Sequence, residues 1–246
     1  GKRRLADMST ELPDAVDVLV VGGGPSGLAA ATWLGRYQRF TLVVDAGEYR
    51  NSAAHQVHGL LSRDPVPPHQ LRADSLADLE QYPLVRLHRG IVNSVRRDED
   101  GLFHATVDGG HPVSALRLVL ATGIRDQLPH LLGFDEHYGA DVHHCPACDG
   151  FNARGEDIIV LGSSSRIPAY AAGFLQWTES ITIVTNSLDP HFTGRQREAL
   201  AEHGISVVEG IAEALVGGPG QLRGISLADG TLVHGSRVFF SQRHLA

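Results

Sequence analysis

A glycine-rich hexapeptide near the N-terminus places the strongest constraint on the fold of this chain. Residues 22–27 read Gly-Gly-Gly-Pro-Ser-Gly and match the pattern G-x-G-x-x-G. They follow an apolar, β-branched run that predicts a buried strand at residues 17–21, and they precede a helical stretch at residues 28–34. The next predicted strand, residues 41–44, ends at Asp45, about the expected 20 residues beyond the glycines. This order predicts a β-α-β unit that binds a dinucleotide.

Each position of the hexapeptide has a physical reason. Gly22 permits a tight turn, Gly24 lets a pyrophosphate approach the backbone, and Gly27 lets the helix pack closely on the strand. The helix N-terminus supplies amide donors and the positive end of the helix dipole. The Asp45 carboxylate could accept hydrogen bonds from both ribose hydroxyls of an adenosine. The motif does not separate FAD from NAD, and a glycine-rich turn that only packs an ordinary α/β domain remains the alternative.

The rest of the chain repeats the β-α-β theme. After the first unit, a helix at about 69–81 and short strands near 85–96, 102–107 and 117–121 indicate a meander within the first domain. In the C-terminal half, the pattern predicts strands at 157–161, 180–185 and 205–209, helices at 167–177 and near 192–203, and a hairpin-like region up to Phe240. The sequence therefore predicts an α/β protein with two Rossmann-like, three-layer nucleotide-binding domains that meet near Gly123.

Composition and charge exclude several classes of protein. The 246 residues carry a net charge of −7, which argues against a broad electrostatic contact with nucleic acid or an anionic membrane. No apolar run approaches the roughly 18 residues that a membrane span needs. The first residues are basic but lack the apolar core of a signal peptide. We therefore expect a cytoplasmic protein.

The chain has only two cysteines, and both lie in the segment His-His-Cys-Pro-Ala-Cys-Asp-Gly at residues 143–150. The loop between Cys145 and Cys148 is too small to stabilise a large fold as a disulfide, so their use is chemical or metal-binding. Two thiols at this spacing typically form a redox-active pair in which one thiol has a lowered pKa. Asp149 is a candidate general acid beside Cys148. His143 and the next histidine either raise the thiolate content at Cys145 or are solvated loop residues.

Other uses of the two cysteines have less support. A haem attachment site needs histidine directly after the second cysteine, and Asp149 stands there. A structural zinc site could use both cysteines with His143 or His144, but the chain has no second C-x-x-C or H-x-x-x-H pair. Two inert buried cysteines are the remaining alternative. We expect no metal site.

Taken together, these motifs resemble low-molecular-weight bacterial thioredoxin reductase over residues 16–240. The resemblance depends on the hexapeptide, Asp45, Ala-Thr-Gly at residues 121–123 and Cys-x-x-Cys-Asp-Gly, in that order. It implies an FAD domain interrupted by a smaller pyridine-nucleotide domain that carries the dithiol. It also implies that Cys148 faces the flavin, that Cys145 attacks the substrate disulfide and that Asp149 donates a proton.

The resemblance further implies a homodimer that acts on a thioredoxin-like protein or on a small dithiol or disulfide. The expected domains are a flexible lead at 1–14, the N-terminal part of the FAD domain at 15–123, the dithiol domain at 124–240 and the start of the return to the FAD domain at 241–246. The C-terminal part of the FAD domain is expected to be missing from this sequence. The expected cofactor-binding residues are Gly22, Gly24, Pro25, Ser26, Gly27, Asp45, Thr122 and Gly123, and the expected catalytic residues are Cys145, Cys148 and Asp149.

The second domain departs from the family pattern. The position of a second fingerprint reads Gly-Ser-Ser-Ser-Arg-Ile-Pro at residues 162–168, with Ser164 and Ile167 in place of the second and third glycines. A β-carbon at Ser164 would crowd a pyrophosphate, and Ile167 would push the helix off the strand. Residues 185–187 read Thr-Asn-Ser where the family has a His-Arg-Arg cluster for NADPH. These departures argue against NADPH binding.

A second branch of the family is therefore an alternative. Flavin-dependent dithiol oxidases of the gliotoxin and holomycin type share the scaffold, need no NADPH and pass electrons from a small-molecule dithiol through FAD to oxygen. The loop at residues 50–59 is similar to that branch, whereas Asp149 matches the reductases. Both interpretations require FAD and the same two cysteines. A non-catalytic nucleotide-binding remnant is a third interpretation, of a different class.

Overall fold

The computed structural model describes residues 12–241 and the backbone of residues 244–245. Within these residues the chain forms two compact units. The first comprises residues 12–52 and 68–125, and the second comprises residues 53–67 together with the chain from Asp126 onward. The expected flexible lead and the expected return segment lie largely outside the described residues.

The first unit is built around one six-stranded sheet. Its elements are β1 (Ala15–Val21), α1 (Pro25–Arg36), β2 (Thr41–Asp45), a 3-10 turn (Arg50–Ala53), α2 (Pro68–Leu79), β3 (Val85–Arg89), β4 (Val92–Arg97), β5 (Phe103–Val107), β6 (His111–Leu120) and β7 (Arg125–Asp126). The strand order is β3-β2-β1-β6-β5-β4. The strands β3, β2, β1 and β6 are parallel, and β5 and β4 extend the sheet as an antiparallel meander.

The apolar strands explain why this sheet forms. Every residue of β2 is buried, as expected for a strand covered on both faces. On one face, Leu28 and Ala31 of α1 pack against Val20 and Val43. Each fully buried Val or Leu side chain contributes roughly 1.5–3 kcal/mol through the hydrophobic effect. The apolar run that predicted the first strand therefore forms the centre of the core.

The second unit contains a parallel sheet and a smaller antiparallel one. Its elements are α3 (Phe134–His137), β8 (Val142–His143), α4 (Pro146–Asp149), β9 (Ile158–Leu161), α5 (Ile167–Ala172), a 3-10 turn (Gly173–Gln176), β10 (Ile181–Val184), α6 (Gly194–Glu202), β11 (Ser206–Val208), β12 (Ala212–Gly218), β13 (Gln221–Leu227), β14 (Leu232–His234), β15 (Arg237–Phe240) and β16 (His244–Leu245). The parallel sheet has the order β11-β10-β9-β15-β8, and β12, β13 and β14 form the antiparallel one.

Residues 53–67 pack within the second unit although they precede it in sequence. Val57 and Val66 form an isolated antiparallel bridge that closes the segment into a loop. His58 at its start contacts Asn152, with 2.9 Å between the ring Nε2 and the amide Nδ2. Asn152 is only four positions beyond Cys148, so the loop at residues 53–67 contacts the dithiol segment.

The α/β fold with parallel sheets is confirmed, and most elements begin and end close to their predicted bounds. The predicted helix at 167–177 is α5 followed by a 3-10 turn. The sequence did not predict several very short elements, among them the 3-10 turn at Arg50–Ala53, β7, α3, β8 and α4, because two to four residues are too few to show a periodicity. No helix in the described part of the chain is both long and apolar enough to cross a membrane.

Candidate active site

The glycine hexapeptide forms a tight turn between β1 and α1 in the first unit. Gly22 has φ +105°, a conformation that side-chain-bearing residues rarely adopt. A β-carbon at Gly22 would overlap the carbonyl of Ala121, and one at Gly27 would overlap the carbonyl of Gly22. The first and third glycines are therefore required by close backbone packing, as the motif predicts.

Gly24 differs, because a β-carbon built there meets no atom within 4 Å. It is the N-cap of α1, and Pro25 at the first helical position contributes no N–H. The amide groups of Ser26 and Gly27 follow in the first turn, where a helix offers them no internal acceptor. The space at Gly24 faces the first-turn amides and the positive end of the α1 dipole, both of which attract a phosphate group.

Asp45 lies at the end of β2, and a β-carbon on Gly23 would be 2.5 Å from its carboxyl carbon. Its carboxylate accepts hydrogen bonds from the Gly47 N–H at 2.9 Å and from the Tyr49 hydroxyl and an Arg72 guanidinium nitrogen at 2.5 Å each. Burial alone raises the pKa of Asp45, but these donors outweigh it and the pKa lies below its ordinary value. Two carboxylate oxygens offer about four acceptor positions, so about one remains for a ribose hydroxyl.

Tyr49 and Arg72 are candidate cofactor residues that sequence reasoning did not find. The Arg72 guanidinium stacks over the Tyr49 ring, with 4.7 Å from its carbon to the ring centroid. Its Nε is buried and has no hydrogen-bond partner among the described residues. No sequence signal links Arg72 to Asp45, because they lie 27 residues apart and meet only in the folded unit. A buried N–H of Arg72 that lacks a hydrogen-bond partner, next to Asp45, fits an anionic dinucleotide such as FAD.

Thr122 and Gly123 lie in the loop that follows β6. Both are exposed, and Gly123 has φ +70°. The backbone nitrogen of Thr122 would be 3.2 Å from a β-carbon on Gly22. The folded unit therefore brings the hexapeptide, Asp45 and residues 121–123 together, although they are spread over about 100 residues of sequence.

The two cysteines form a disulfide in the second unit, with 5.3 Å between their Cα atoms. Cys145 is the N-cap of α4, and its sulfur accepts a hydrogen bond from the Cys148 N–H at 3.2 Å. The same N–H would stabilise a thiolate at Cys145 once the disulfide is reduced. Cys148 is exposed and Cys145 is half-buried, so the two sulfurs have different access to reactants.

A buried charge cluster holds the strand that leads into the dithiol. Asp141 is fully buried directly before β8. Its carboxylate contacts His137 at 2.8 Å and Arg237 at 3.1 Å, and accepts a hydrogen bond from the Gly220 N–H at 2.7 Å. Removing one partner of such a network leaves an uncompensated buried charge and is strongly destabilising. The cluster therefore ties β8 to β15 and to the turn between β12 and β13.

Asp149 is partly buried next to Cys148, with its side chain 24% exposed. Burial raises the pKa of this carboxyl from 3.8 to about 6, and the charge of His58 lowers it slightly. A carboxyl with this pKa holds its proton over part of the range near neutrality and can give it to a thiolate. The candidate general acid named from the sequence thus has a suitable environment.

His143 and His144 contact different neighbours. The His143 ring packs on Phe239 with 5.4 Å between centroids, and its Nδ1 is 3.4 Å from the Asp149 carboxylate. Burial and the charge of Arg237 lower the pKa of His143 to about 4, so it is neutral near pH 7. His144 Nδ1 lies 3.0 Å from the Tyr138 hydroxyl. No group of three or more potential metal ligands occurs among the described residues.

The second fingerprint does not have the geometry of a dinucleotide site. The Ile167 side chain fills the space at Gly162, where a β-carbon would lie 2.7 Å from its Cδ1. The loop between them is held by hydrogen bonds from the His191 N–H to the Ser163 carbonyl and from the Gln196 amide to the Ser165 carbonyl, at 2.9 and 2.8 Å. The following helix, α5, has only six residues. These residues do not fit NADPH.

The chain is similar to several known proteins. The family model described as pyridine nucleotide-disulphide oxidoreductase matches residues 16–242. A probable thioredoxin reductase of Arthroderma benhamiae is 35% identical over 151 residues, covering 59% of this chain and 37% of its own length. The thioredoxin reductase sirT of Leptosphaeria maculans is 33% identical over 190 residues, covering 73% of this chain and 57% of its own.

Among solved structures, the crystal structure of HlmI superposes with a TM-score of 0.88 at 35% identity, covering 94% of this chain and 73% of that one. The chain thus spans about half the length of the two curated relatives and about three quarters of this structure.

Proposed function

Since the chain belongs to the pyridine nucleotide-disulphide oxidoreductase family, we propose that it is an FAD-dependent thiol–disulfide oxidoreductase. In this proposal the Cys145–Cys148 pair exchanges electrons with the flavin on one side and with a dithiol or disulfide substrate on the other. The observation that carries it is the disulfide at the start of α4, with the partly buried Asp149 carboxyl directly after it.

The residues of the first unit would hold FAD. The open space at Gly24 and the first-turn amides of α1 would take the pyrophosphate, and Asp45 with Arg72 would take the ribose side. When bound, FAD accepts or supplies the pair of electrons that converts a dithiol into a disulfide and back. Residues 121–123 would line the same site.

The thiol chemistry then follows from the two sulfurs. In the reducing direction, a Cys145 thiolate attacks one sulfur of the substrate disulfide and the other sulfur leaves as a thiolate. Cys148 then attacks Cys145, which releases the second substrate thiol and reforms the protein disulfide. Asp149 supplies a proton to a departing thiolate. The substrate is oxidised by the reverse sequence. A thioredoxin-like protein or a small dithiol or disulfide would serve as substrate, and the assembly would be a homodimer.

The closed loop at the second fingerprint favours a second candidate function. Ile167 fills the space at Gly162 and the Gln196 amide holds the Ser165 carbonyl, which supports a function without NADPH. In that function electrons would enter from a dithiol substrate and leave through FAD to oxygen. The chain would then be an NADPH-independent dithiol oxidase that forms disulfides. The same cysteines and the same FAD residues serve both candidates.

An anaerobic reductive titration tests these proposals. The purified protein, reconstituted with FAD where needed, is mixed with NADPH and then with a small dithiol while the flavin absorbance band is recorded. We expect the dithiol to bleach the band, air to restore it and NADPH to have little effect. Bleaching by NADPH would support the reductase instead, and a protein that binds no FAD would contradict both.

The variants Cys145→Ser and Cys148→Ser test whether electrons pass from the dithiol to the flavin through the cysteine pair. Each should bind FAD as the parent does but lose bleaching by the dithiol. If either variant retains full turnover of dithiol or disulfide, the cysteine pair is not the redox centre.

A further inference from the structure

Arg72 of α2 meets Asp45 at the end of β2, within the first unit. A guanidinium nitrogen lies 2.5 Å from the Asp45 carboxylate, although the two residues are 27 positions apart in sequence. This ion pair uses one of the five N–H groups that a guanidinium carries. The Nε–H is buried and has no hydrogen-bond partner among the described residues. A buried N–H without an acceptor is costly in a folded protein, so it points to an acceptor that a ligand supplies.

Two contacts fix the plane of the Arg72 guanidinium. Asp45 holds its edge, and the Tyr49 ring lies against its face, with 4.7 Å from the guanidinium carbon to the ring centroid. The Tyr49 hydroxyl also donates a hydrogen bond to Asp45 at 2.5 Å. Burial raises the pKa of Tyr49, and so does this hydrogen bond, so the hydroxyl keeps its proton near neutral pH. A guanidinium held in this way loses little side-chain entropy when it binds a ligand.

Of the two charged groups, Arg72 is the more accessible to a ligand. The Asp45 side chain is 4% exposed, whereas the Arg72 side chain is 25% exposed. The Asp45 carboxylate already accepts three hydrogen bonds, from Gly47, Tyr49 and Arg72. Asp45 therefore has little capacity left for a ligand, whereas most of the N–H groups of Arg72 are not used by Asp45.

The position of this pair indicates which part of a dinucleotide it meets. A β-carbon on Gly23 would lie 2.5 Å from the Asp45 carboxyl carbon, so the glycine turn and Asp45 are direct neighbours. In a β-α-β dinucleotide site, the pyrophosphate lies at the glycine turn and the adenosine ribose lies at the end of the second strand. Arg72 is bonded to the residue at the end of that strand, which places it on the ribose side.

We propose that Arg72 is a cofactor-binding residue of the first unit, and that its guanidinium donates hydrogen bonds to acceptor atoms of the adenosine ribose. Asp45 is then a positioning residue, because it acts mainly by holding the guanidinium in place. The dinucleotide fingerprint ordinarily assigns the ribose contact to the carboxylate itself. This chain therefore differs in which member of the pair meets the ligand. The inference relies on the proposed function only for a dinucleotide bound by the first unit.

Calorimetric titrations of the flavin-free chain with ADP and with inorganic pyrophosphate separate the ribose contact from the phosphate contact. Arg72→Lys keeps the positive charge beside Asp45 but removes the planar guanidinium and its Nε–H. We expect this variant to bind ADP about tenfold more weakly, because a hydrogen bond from a charged donor is lost. Its affinity for pyrophosphate should be unchanged. A purely structural role of Arg72 would weaken both ligands equally, and that result, like unchanged ADP binding, would overturn the proposal.

Arg86→Lys is the matched control, since Arg86 also stacks on an aromatic ring in the same unit, 5.3 Å from the Phe40 centroid. It should leave the affinity for ADP unchanged. Asp45→Asn tests the division of roles in a double-mutant cycle with Arg72→Lys. If Asp45 acts through Arg72, Asp45→Asn should weaken ADP binding in the parent but by less than about twofold in Arg72→Lys. Additive losses would show that the carboxylate binds the ribose itself, and would overturn the assignment.

A measurement on the parent chain does not depend on how the variants fold. The side-chain N–H signals of Arg72 are followed by NMR, after assignment through their bonds to the backbone. Saturating ADP should move these signals downfield and slow their exchange with water, because the donors gain an acceptor. Pyrophosphate should not move them. Signals that ADP leaves unchanged would overturn the proposal.

This inference and the proposed function fail separately. ADP binding needs neither the flavin nor the cysteines, whereas the function is tested by bleaching of the flavin band with a dithiol. Weaker ADP binding in Arg72→Lys, together with no bleaching in a chain that holds FAD, would keep the role of Arg72 and refute the function. Bleaching together with an ADP affinity that does not depend on Arg72 would do the opposite.

Discussion

At the scale of single residues, the dithiol site depends on how burial changes the protonation of Asp149. A carboxyl whose pKa is higher in the folded state than in the unfolded state adds most to stability below its unfolded pKa, here 3.8. That contribution is lost as the pH rises through the folded value of about 6. Near neutral pH the protein therefore holds an ionised, partly desolvated carboxylate at a cost in stability.

Asp149→Asn should remove this cost. We expect the variant to be more stable than the parent by on the order of 2 to 3 kcal/mol at about pH 8. This gain in the free energy of unfolding should be smaller by about 1 kcal/mol at about pH 5. The measurement is denaturant unfolding at both pH values with the disulfide oxidised. Asp189→Asn, at an exposed aspartate of the same unit, is the control and should follow the parent. An identical pH dependence in Asp149→Asn and the parent would contradict a raised pKa.

At the scale of elements, the turn into α1 contains glycines needed for packing and one glycine, Gly24, that we propose for cofactor binding. A β-carbon at Gly27 overlaps the Gly22 carbonyl, whereas one at Gly24 meets open space. The backbone of Gly24, with φ −72° and ψ −177°, is also accessible to alanine. The two positions should therefore respond differently to the same substitution.

Gly27→Ala should destabilise the fold by about 1 to 3 kcal/mol, because the helix must move away from the strand. Gly24→Ala should change stability by less than about 0.5 kcal/mol, since solvent surrounds the added methyl group. It should nevertheless weaken FAD binding at least tenfold if the pyrophosphate occupies that space. Denaturant unfolding and a fluorescence titration with FAD measure the two effects. Unchanged FAD affinity in Gly24→Ala would show that the pyrophosphate binds elsewhere.

At the scale of the whole molecule, each unit has its own core and its own version of the β-α-β theme. In the first unit, the space in front of Gly24 is open. In the equivalent loop of the second unit, the Ile167 side chain fills the space at Gly162 and the Gln196 amide donates a hydrogen bond to the Ser165 carbonyl. The two units should therefore differ in their response to dinucleotides, although both have the same class of fold.

Hydrogen exchange can test this difference. Saturating FAD should protect the amides of the first unit near residues 22–27, 45–49 and 121–123, because a ligand that binds only the folded state suppresses local opening. It should leave the central strands β9 and β10 of the second unit unchanged. NADPH should not protect residues 162–167. Protection of residues 162–167 by NADPH would contradict the proposal that this loop does not bind a dinucleotide. The amides of the exposed helix α6 serve as an internal reference.

The sequence alone was sufficient for the fold class and for most element bounds, and it named the candidate site residues. Apolar runs such as residues 17–21 and 41–44 predict buried strands because burial on both faces requires continuous apolar side chains. The hexapeptide at 22–27 predicts a turn between a strand and a helix because its glycines and its position between the two apolar stretches are typical of that junction. The C-x-x-C spacing likewise allows a disulfide within one turn of chain. These features depend on residues that are near one another in sequence.

The tertiary structure decided what depends on residues far apart in sequence. It placed Arg72 on Asp45, joined residues 53–67 to the dithiol segment through His58, and brought Phe239 against the His143 ring. It also determined the burial that raises the pKa of Asp149 and lowers that of His143. Desolvation is a property of the completed packing around a group, and no pattern of neighbouring residues contains it. The sequence therefore named the candidate groups for the chemistry, and only the folded chain determined their protonation and their partners.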